Sequence, residues 1–189
     1  MHIVAGSRKH RKLLAPKGSQ TRPTTERLRE TVFNICQNSI EGAHVLDLFA
    51  GSGAIGLEAL SRGAATALFL DQDKECIRCI KQNLQNLHLE KQSSVLQGDV
   101  FKTLNRLIKN GRHFDLIYID PPYTLLEGEN TYIKNILEII DQSSLLSPKG
   151  LLFLEEPFSN KIKAPFTFSH LQLISTRRSG KTLLSHYIS

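Results

Sequence analysis

The stretch HVLDLFAGSGAIGLEAL, residues 44–60, decides how the chain is read. An apolar run carrying one acid leads into Gly51, Gly53 and Gly56, spaced as G-x-G-x-x-G, and a helix-forming segment follows. Glycine tolerates the backbone of a tight turn and lets main chain approach a ligand closely. The next apolar run, TALFLD, ends in Asp71, 20 residues beyond Gly51, the spacing at which an acid usually meets a ribose diol. A purely structural glycine turn is the alternative, but the acid at this spacing favours a nucleotide-type cofactor.

Outward from this turn, short apolar runs alternate with amphipathic segments. The runs HVLDLF, TALFLD, SSVLQ, FDLIYID, GLLFLE, HLQLIS and TLLSHYI read as strands, with helices near residues 54–62, 74–87, 101–109 and 131–141. Ile77, Ile80, Leu84 and Leu87 form one helical stripe, and Ile133, Ile136, Leu137 and Ile140 another. A further helix begins beyond Pro23, with Thr24 or Thr25 as its cap and Leu28, Val32, Ile35 and Cys36 on one face. This alternation predicts an α/β fold, a parallel sheet covered on both faces, with the last two strands pairing antiparallel at the sheet edge. MHIVAG and KLLA predict a small hairpin about the basic turn SRKHR.

Asp47 lies inside the first strand, four residues before the glycines. A dinucleotide would place its pyrophosphate at the helix N-terminus, where a nearby carboxylate is unhelpful. S-adenosylmethionine, with a cationic amino-acid end and a sulfonium, would welcome the acid. A capping role for Asp47 is the other reading. Asp99, before the helix bearing Phe101 and Leu104, suits either an N-cap or an acceptor for an adenine amine.

The fourth strand ends in DPPY, Asp120 to Tyr123, on the sheet edge where ligands of open α/β sheets bind. Two prolines stiffen the backbone and leave carbonyls available as acceptors. Methylating an exocyclic amine calls for groups that hold its hydrogens while the new bond forms. Asp120 and the Pro121 carbonyl suit that task, Pro122 fixes the turn, and Tyr123 offers a stacking face for an extruded base.

DLFAGSG together with DPPY resembles the amino-methyltransferases of the Rossmann-like S-adenosylmethionine enzymes. MHIVAGSRKHRKLLAPKGSQTRPTTERLRETVFNI narrows this, because it resembles the bacterial RsmD family, and the similarity extends to TRRSGKTLLSHYI at the end of the chain. The resemblance implies a seven-stranded S-adenosylmethionine-dependent methyltransferase acting on the exocyclic N2 of a guanine in 16S ribosomal RNA of the small ribosomal subunit. It further implies that Asp47, Gly51 and Gly53 serve the methionine end, Asp71 the ribose, and Asp99 with Val100 the adenine, with Gly56 also among the cofactor-binding residues. Asp120, Pro121, Pro122 and Tyr123 would hold the guanine. Many relatives carry Glu at the Asp71 position, and some end the DPPY motif in Phe, so the ring of Tyr123 matters and its hydroxyl does not.

Charge supports an RNA partner. Residues 1–30 hold eight Lys and Arg against Glu26 and Glu30, and the remainder carries 16 of each sign, so the formal +6 sits entirely in the first sixth of the chain. Arg8, Lys9, Arg11, Lys12 and Arg22 are expected to meet RNA phosphates, although a solvated basic tail would look the same. Arg177, Arg178 and Lys181 are placed in the final turn, where contact with RNA is one reading and a solvated turn the favoured one.

A chain of 189 residues with 40% apolar content suits one domain, a basic hairpin and linker over 1–24 on a core over 25–189. No window approaches the ~20 apolar residues of a membrane span, and three cysteines do not make a disulfide framework, so a cytoplasmic monomer without a membrane partner is expected. Cys76 and Cys79 form C-x-x-C within a helix with no second pair, so no metal is expected. The rival readings are a DNA adenine-N6 methyltransferase, which usually needs a recognition insert, a glutamine-amide methyltransferase, whose motif more often begins with Asn, and a noncatalytic RNA-binding factor on a relict fold.

Overall fold

In the computed structural model, which describes residues 1–16, 25–122, 131–158 and 166–189, apolar strands and capped helices alternate as the sequence pattern predicts. Strands β1 (His44–Leu48), β2 (Thr66–Asp71), β3 (Ser93–Gln97), β4 (Phe114–Ile119) and β5 (Leu146–Pro157) are parallel. Parallel neighbours need crossover connections. Helices α2 (Ala54–Ser61), α3 (Lys74–Leu87), α4 (Val100–Lys109) and α5 (Thr131–Asp141) lie in those connections, and α1 (Glu26–Ile35) precedes β1.

The seven strands have the order β3-β2-β1-β4-β5-β7-β6, where β6 (Gln172–Ser179) and β7 (Thr182–Ile188) form an antiparallel hairpin and β7 also pairs antiparallel with β5. The strand order reverses between β1 and β4, so the carboxyl ends of these two neighbours bound the crevice in which such sheets take ligands.

Local chemistry starts the helices where they start. Thr25 accepts from the Leu28 N–H at 3.3 Å, Asp73 from Glu75 N–H at 2.7 Å and Asp99 from Lys102 N–H at 2.9 Å. The stripe Ile77, Ile80, Leu84 and Leu87 of α3 is buried, and Ile80, Leu84 and Leu87 enter one core that also takes Leu57 of α2, Leu28 of α1, and Ile3 and Leu13 of the N-terminal hairpin. Ile133, Ile136, Leu137 and Ile140 of α5 join Leu104 and Leu107 of α4 in the core on the opposite face. Each large apolar side chain so buried contributes about 1.5–3 kcal/mol.

Two local expectations change. The N-terminal segment forms a hairpin with one ladder bridge, His2 to Lys12, rather than two strands. Its Val4 and Ala5 N–H groups donate instead to the Glu58 carboxylate of α2, at 2.8 and 2.9 Å. Arg177 and Arg178 lie within strand β6, and only Gly180 and Lys181 form the turn to β7. No helix among the described residues is long and apolar enough to cross a membrane.

Candidate active site

The turn after β1 is built from left-handed backbone: φ is 59° at Phe49, 55° at Gly51 and 78° at Gly53. Asp71, at the end of β2, braces it. One carboxylate oxygen accepts from Gly51 N–H at 2.8 Å, and the other accepts from Asp73 N–H at 2.9 Å. A Cβ added at Gly51 would meet only the Phe49 carbonyl, at 4.0 Å, so space opens beside the turn. At Gly56 the opposite holds: a Cβ would come within 2.3 Å of the Phe69 ring, so only glycine lets α2 pack this closely on β2.

Asp47 lies beneath the turn, 2% exposed, and accepts from Gly56 N–H at 3.0 Å. Gly53 at the N-cap of α2 has no side chain to offer, and Asp47 supplies the missing acceptor from the neighbouring strand. Burial pushes its carboxyl up to about 8, against the Gly56 N–H, while Asp71 adds to the rise. The capping use thus operates in this structure, with the carboxyl turned to α2.

Asp120, Pro121 and Pro122 follow β4 beside this turn. Leu48 pairs with Ile119, and the Asp120 N–H reaches the Leu48 carbonyl at 3.4 Å. Asp120 and Pro122 are half-buried and Pro121 is buried; Tyr123 lies outside the described residues. Tyr118, directly below, donates to Glu155 at 2.6 Å. Its phenol is raised well above its usual range, by burial first and then by Glu155, Asp120 and Asp47, so three carboxyl groups surround this ring.

Asp99 caps α4 through Lys102 N–H and also stands near Tyr132, whose phenol is raised by burial and by this carboxylate. Val100 is buried at the start of α4. Three rings that carry no role in the sequence pattern meet here. Tyr132 of α5 stands edge-on to Phe101 with centroids 5.1 Å apart, and 6.4 Å from Phe49. Phe49 lies within the quoted DLFAGSG, but a pattern of spacing carries no sign that Phe101 and Tyr132 would converge on it.

The basic hairpin lies elsewhere. Arg8 Nε donates to the Leu87 carbonyl at 2.8 Å and Arg11 Nη2 to the Asn86 carbonyl at 3.0 Å, so both guanidinium groups cap the C-terminus of α3. Lys9 and Lys12 are exposed, and Arg22 lies outside the described residues. Cys76 and Cys79 are buried, and burial pushes the Cys76 thiol up to about 12.

The family model for conserved hypothetical protein 95 matches residues 1–188. YlbH of Bacillus subtilis, provisionally named an rRNA methyltransferase, is 35% identical over 187 residues, covering 99% of this chain and 98% of YlbH. Ribosomal RNA small subunit methyltransferase D of Haemophilus influenzae is 31% identical over 180 residues, covering 95% and 89%. Among solved structures, Escherichia coli yhhF, provisionally named a methyltransferase, has a TM-score of 0.83 at 29% identity over 100% of this chain and 97% of that one. An RNA methyltransferase of Salinibacter ruber in complex with S-adenosyl-L-homocysteine has a TM-score of 0.62 at 14% identity, covering 88% and 93%, a likeness of fold.

Proposed function

Because the chain belongs to the conserved hypothetical protein 95 family, the RsmD family, we propose that it methylates the exocyclic N2 of a guanine in 16S ribosomal RNA, using S-adenosylmethionine. The observation that carries this reading is the meeting of two motifs at one point of the sheet: the glycine turn after β1 and DPPY after β4, joined through Leu48 and Asp120. The residues present fit the cofactor. Gly51 leaves room for a ligand along the turn, Asp71 stands at the end of the next strand, and Asp99 stands beside a cluster of aromatic rings.

When bound, S-adenosylmethionine supplies a methyl group on a sulfonium, which becomes a neutral thioether as the methyl leaves. Asp71 keeps acceptor capacity on each carboxylate oxygen for a ribose hydroxyl. Asp120 and the Pro121 carbonyl would accept the two hydrogens of the guanine amine and leave its lone pair free to attack, Tyr123 would stack on the base, and the proton that the methylated nitrogen sheds would pass through the Asp120 carboxylate to solvent. Rate then comes from alignment and charge complementarity, with no covalent enzyme intermediate. In this reading the chain acts as one methyltransferase domain, a cytoplasmic monomer, with Lys9 and Lys12 of the hairpin meeting RNA phosphates.

The test is labelled methyl transfer to small subunits purified from a strain lacking the gene, followed by nucleoside analysis. N2-methylguanosine is expected; N6-methyladenosine, or RNA without label, overturns the reading. Asp120→Ala should bind S-adenosylmethionine normally in calorimetry yet lose at least about 100-fold in kcat, in the range of a lost transition-state hydrogen-bond partner. Normal turnover would remove this carboxylate from the mechanism.

A further inference from the structure

The turn of the N-terminal hairpin, with Arg8 and Arg11, lies at the end of the sheet away from the site, although the second arm runs back until Leu14 meets Asn83, which also donates to the Ser52 carbonyl of the glycine turn. Helix α3 leaves the carboxyl edge after Asp71 and runs for 14 residues, so its C-terminus, which Arg8 and Arg11 cap, lies about 20 Å away toward the amino edge. A substrate whose base enters at Asp120 needs cations nearer that residue.

The β6–β7 hairpin supplies them. Ile119 pairs with Leu154, so Asp120 and Glu155 follow at the same level; Glu155 pairs with Leu184, and Leu184 with Arg177. Arg177 thus stands three strand spacings from Asp120, about 14 Å across the sheet, on the same edge. Arg178 pairs with Leu183, opposite Glu156, and the turn residues Gly180 and Lys181 come next. Arg177, Arg178 and Lys181 are all exposed, whereas Glu155 and Glu156 are buried, so the outward charge of this hairpin is positive.

The hairpin is also pre-ordered. The Arg178 guanidinium lies 3.8 Å over the Phe158 ring and its Nε donates to the Gly180 carbonyl at 3.0 Å, while Phe158 N–H donates to the Lys181 carbonyl at 2.8 Å. These contacts of Arg178 hold the turn that carries Lys181 and the strand end that carries Arg177.

We propose that Arg177, on the face of the sheet that carries Glu155, and Lys181 of the turn form a second contact surface for the RNA backbone, at the methyl-transfer edge, which holds the strand flanking the target base, while Arg178, on the other face, orders the turn. This rests on the reading of the chain as an rRNA methyltransferase. The surface recognises phosphate, and therefore contributes affinity and register rather than base identity.

The experiment compares wild type, Arg177→Ala/Lys181→Ala and the charge-matched control Arg106→Ala/Lys109→Ala, whose positions lie in the last turn of α4. Binding to protein-free small-subunit rRNA is measured across a KCl series, with KM and kcat for methyl transfer and calorimetric affinity for S-adenosylmethionine. In the hairpin variant the slope of log affinity on log salt should fall by about 1.5, as for two lost phosphate contacts. Its KM for RNA should rise on the order of tenfold with kcat and cofactor affinity unchanged, and the control should match wild type. A hairpin variant with wild-type slope and KM overturns the assignment while leaving the methyltransferase reading standing. So does a KM increase confined to protein-bound subunits, which would mark a protein contact. Absence of RNA methylation by wild type removes both readings.

Discussion

The two basic hairpins are tied to the fold by the same device and differ in what their cations then do. At the N-terminal hairpin, Glu58 takes the Val4 and Ala5 N–H groups; at the approach to β6, Asp141 takes Ser169, His170 and Leu171 N–H at 3.0, 2.7 and 2.8 Å. Each is one buried carboxylate at a helix holding a distant segment. Glu58, however, is wholly buried and shares its oxygens with Arg29 at 3.4 Å and Arg62 at 2.8 Å, so the N-terminal hairpin is fastened by an internal ion network. Asp141 has backbone donors and only His170, at 3.9 Å, as a cation partner among the described residues. Arg8, Arg11 and Arg29 about the first hairpin all donate into the fold, whereas at the second Arg178 lies over Phe158 and Arg177 is exposed.

The largest effect should come from cutting the first fastening. Glu58→Ala leaves the Arg29 guanidinium, 0% exposed, without its counter-charge. Its Nε already lacks a partner among the described residues, and burial lowers its pKa in spite of Glu58. Removing one member of a buried pair costs about 3–5 kcal/mol. For a chain of this size that is a fall in Tm on the order of 10 °C. Hydrogen exchange should show Ile3 and Leu13 losing protection well before Leu184 of β7. A shift below about 2 °C, well under the size scaling for such a loss, or equal loss in both places, would end the distinction drawn between the two hairpins.

Asp141 should give a smaller loss with a pH signature. Burial pushes its carboxyl up, but the three N–H donors and His170 outweigh this and hold it below the ordinary carboxylate range. The folded state therefore binds the proton less readily than the unfolded one. Its stabilisation is complete above the unfolded value, 3.8, and is lost as pH falls through the lower folded value. Asp141→Ala should cost about 1–3 kcal/mol at pH 7, since it strands the buried Leu171 N–H and takes the acceptor from the Ser169 and His170 N–H groups, which water can reach. Asp141→Asn should flatten the acid limb of Tm measured downward from about pH 7 through the unfolded carboxyl value, and parallel limbs would refute the anchoring role.

These anchors explain where sequence reading stops. Helix α3 and strands β3 and β7 begin and end where the pattern puts them, because cap, stripe and strand composition agree locally. The glycine turn and DPPY are likewise legible, each being a contiguous run. Glu58 and Arg29 sit in AIGLEALS and ERLRETVFNI as ordinary polar helix positions; their pairing spans 29 residues, and periodicity carries no such information. The same holds for Phe101 and Tyr132, which meet from two different helices. Asp47 is visible as an acid within a strand, but its partner Gly56 becomes evident only when α2 folds back on the sheet. Strand β6 reads as a turn at Arg177 and Arg178 because an edge strand exposed on both faces loses the alternation of period two.

The smallest effect tests the same distinction within one hairpin. Arg8 and Lys9 are neighbours of equal charge, and composition treats them alike. Arg8 is half-buried with its Nε on the Leu87 carbonyl, at the negative end of the α3 dipole, whereas Lys9 is exposed. Arg8→Ala should therefore cost about 0.5–1.5 kcal/mol of stability, the worth of one hydrogen bond in this setting. Lys9→Ala should stay within about 0.5 kcal/mol of wild type. RNA binding should rank them the other way, with Lys9→Ala lowering the salt slope by about 0.7–0.9 if it loses one phosphate contact. Arg8 retains donors beyond Nε, so its loss can weaken RNA binding too; the test is whether Tm moves with it. If Arg8→Ala weakens RNA binding as much as Lys9→Ala and leaves Tm unchanged, the capping contact contributes nothing to the fold, and both cations belong to the RNA surface.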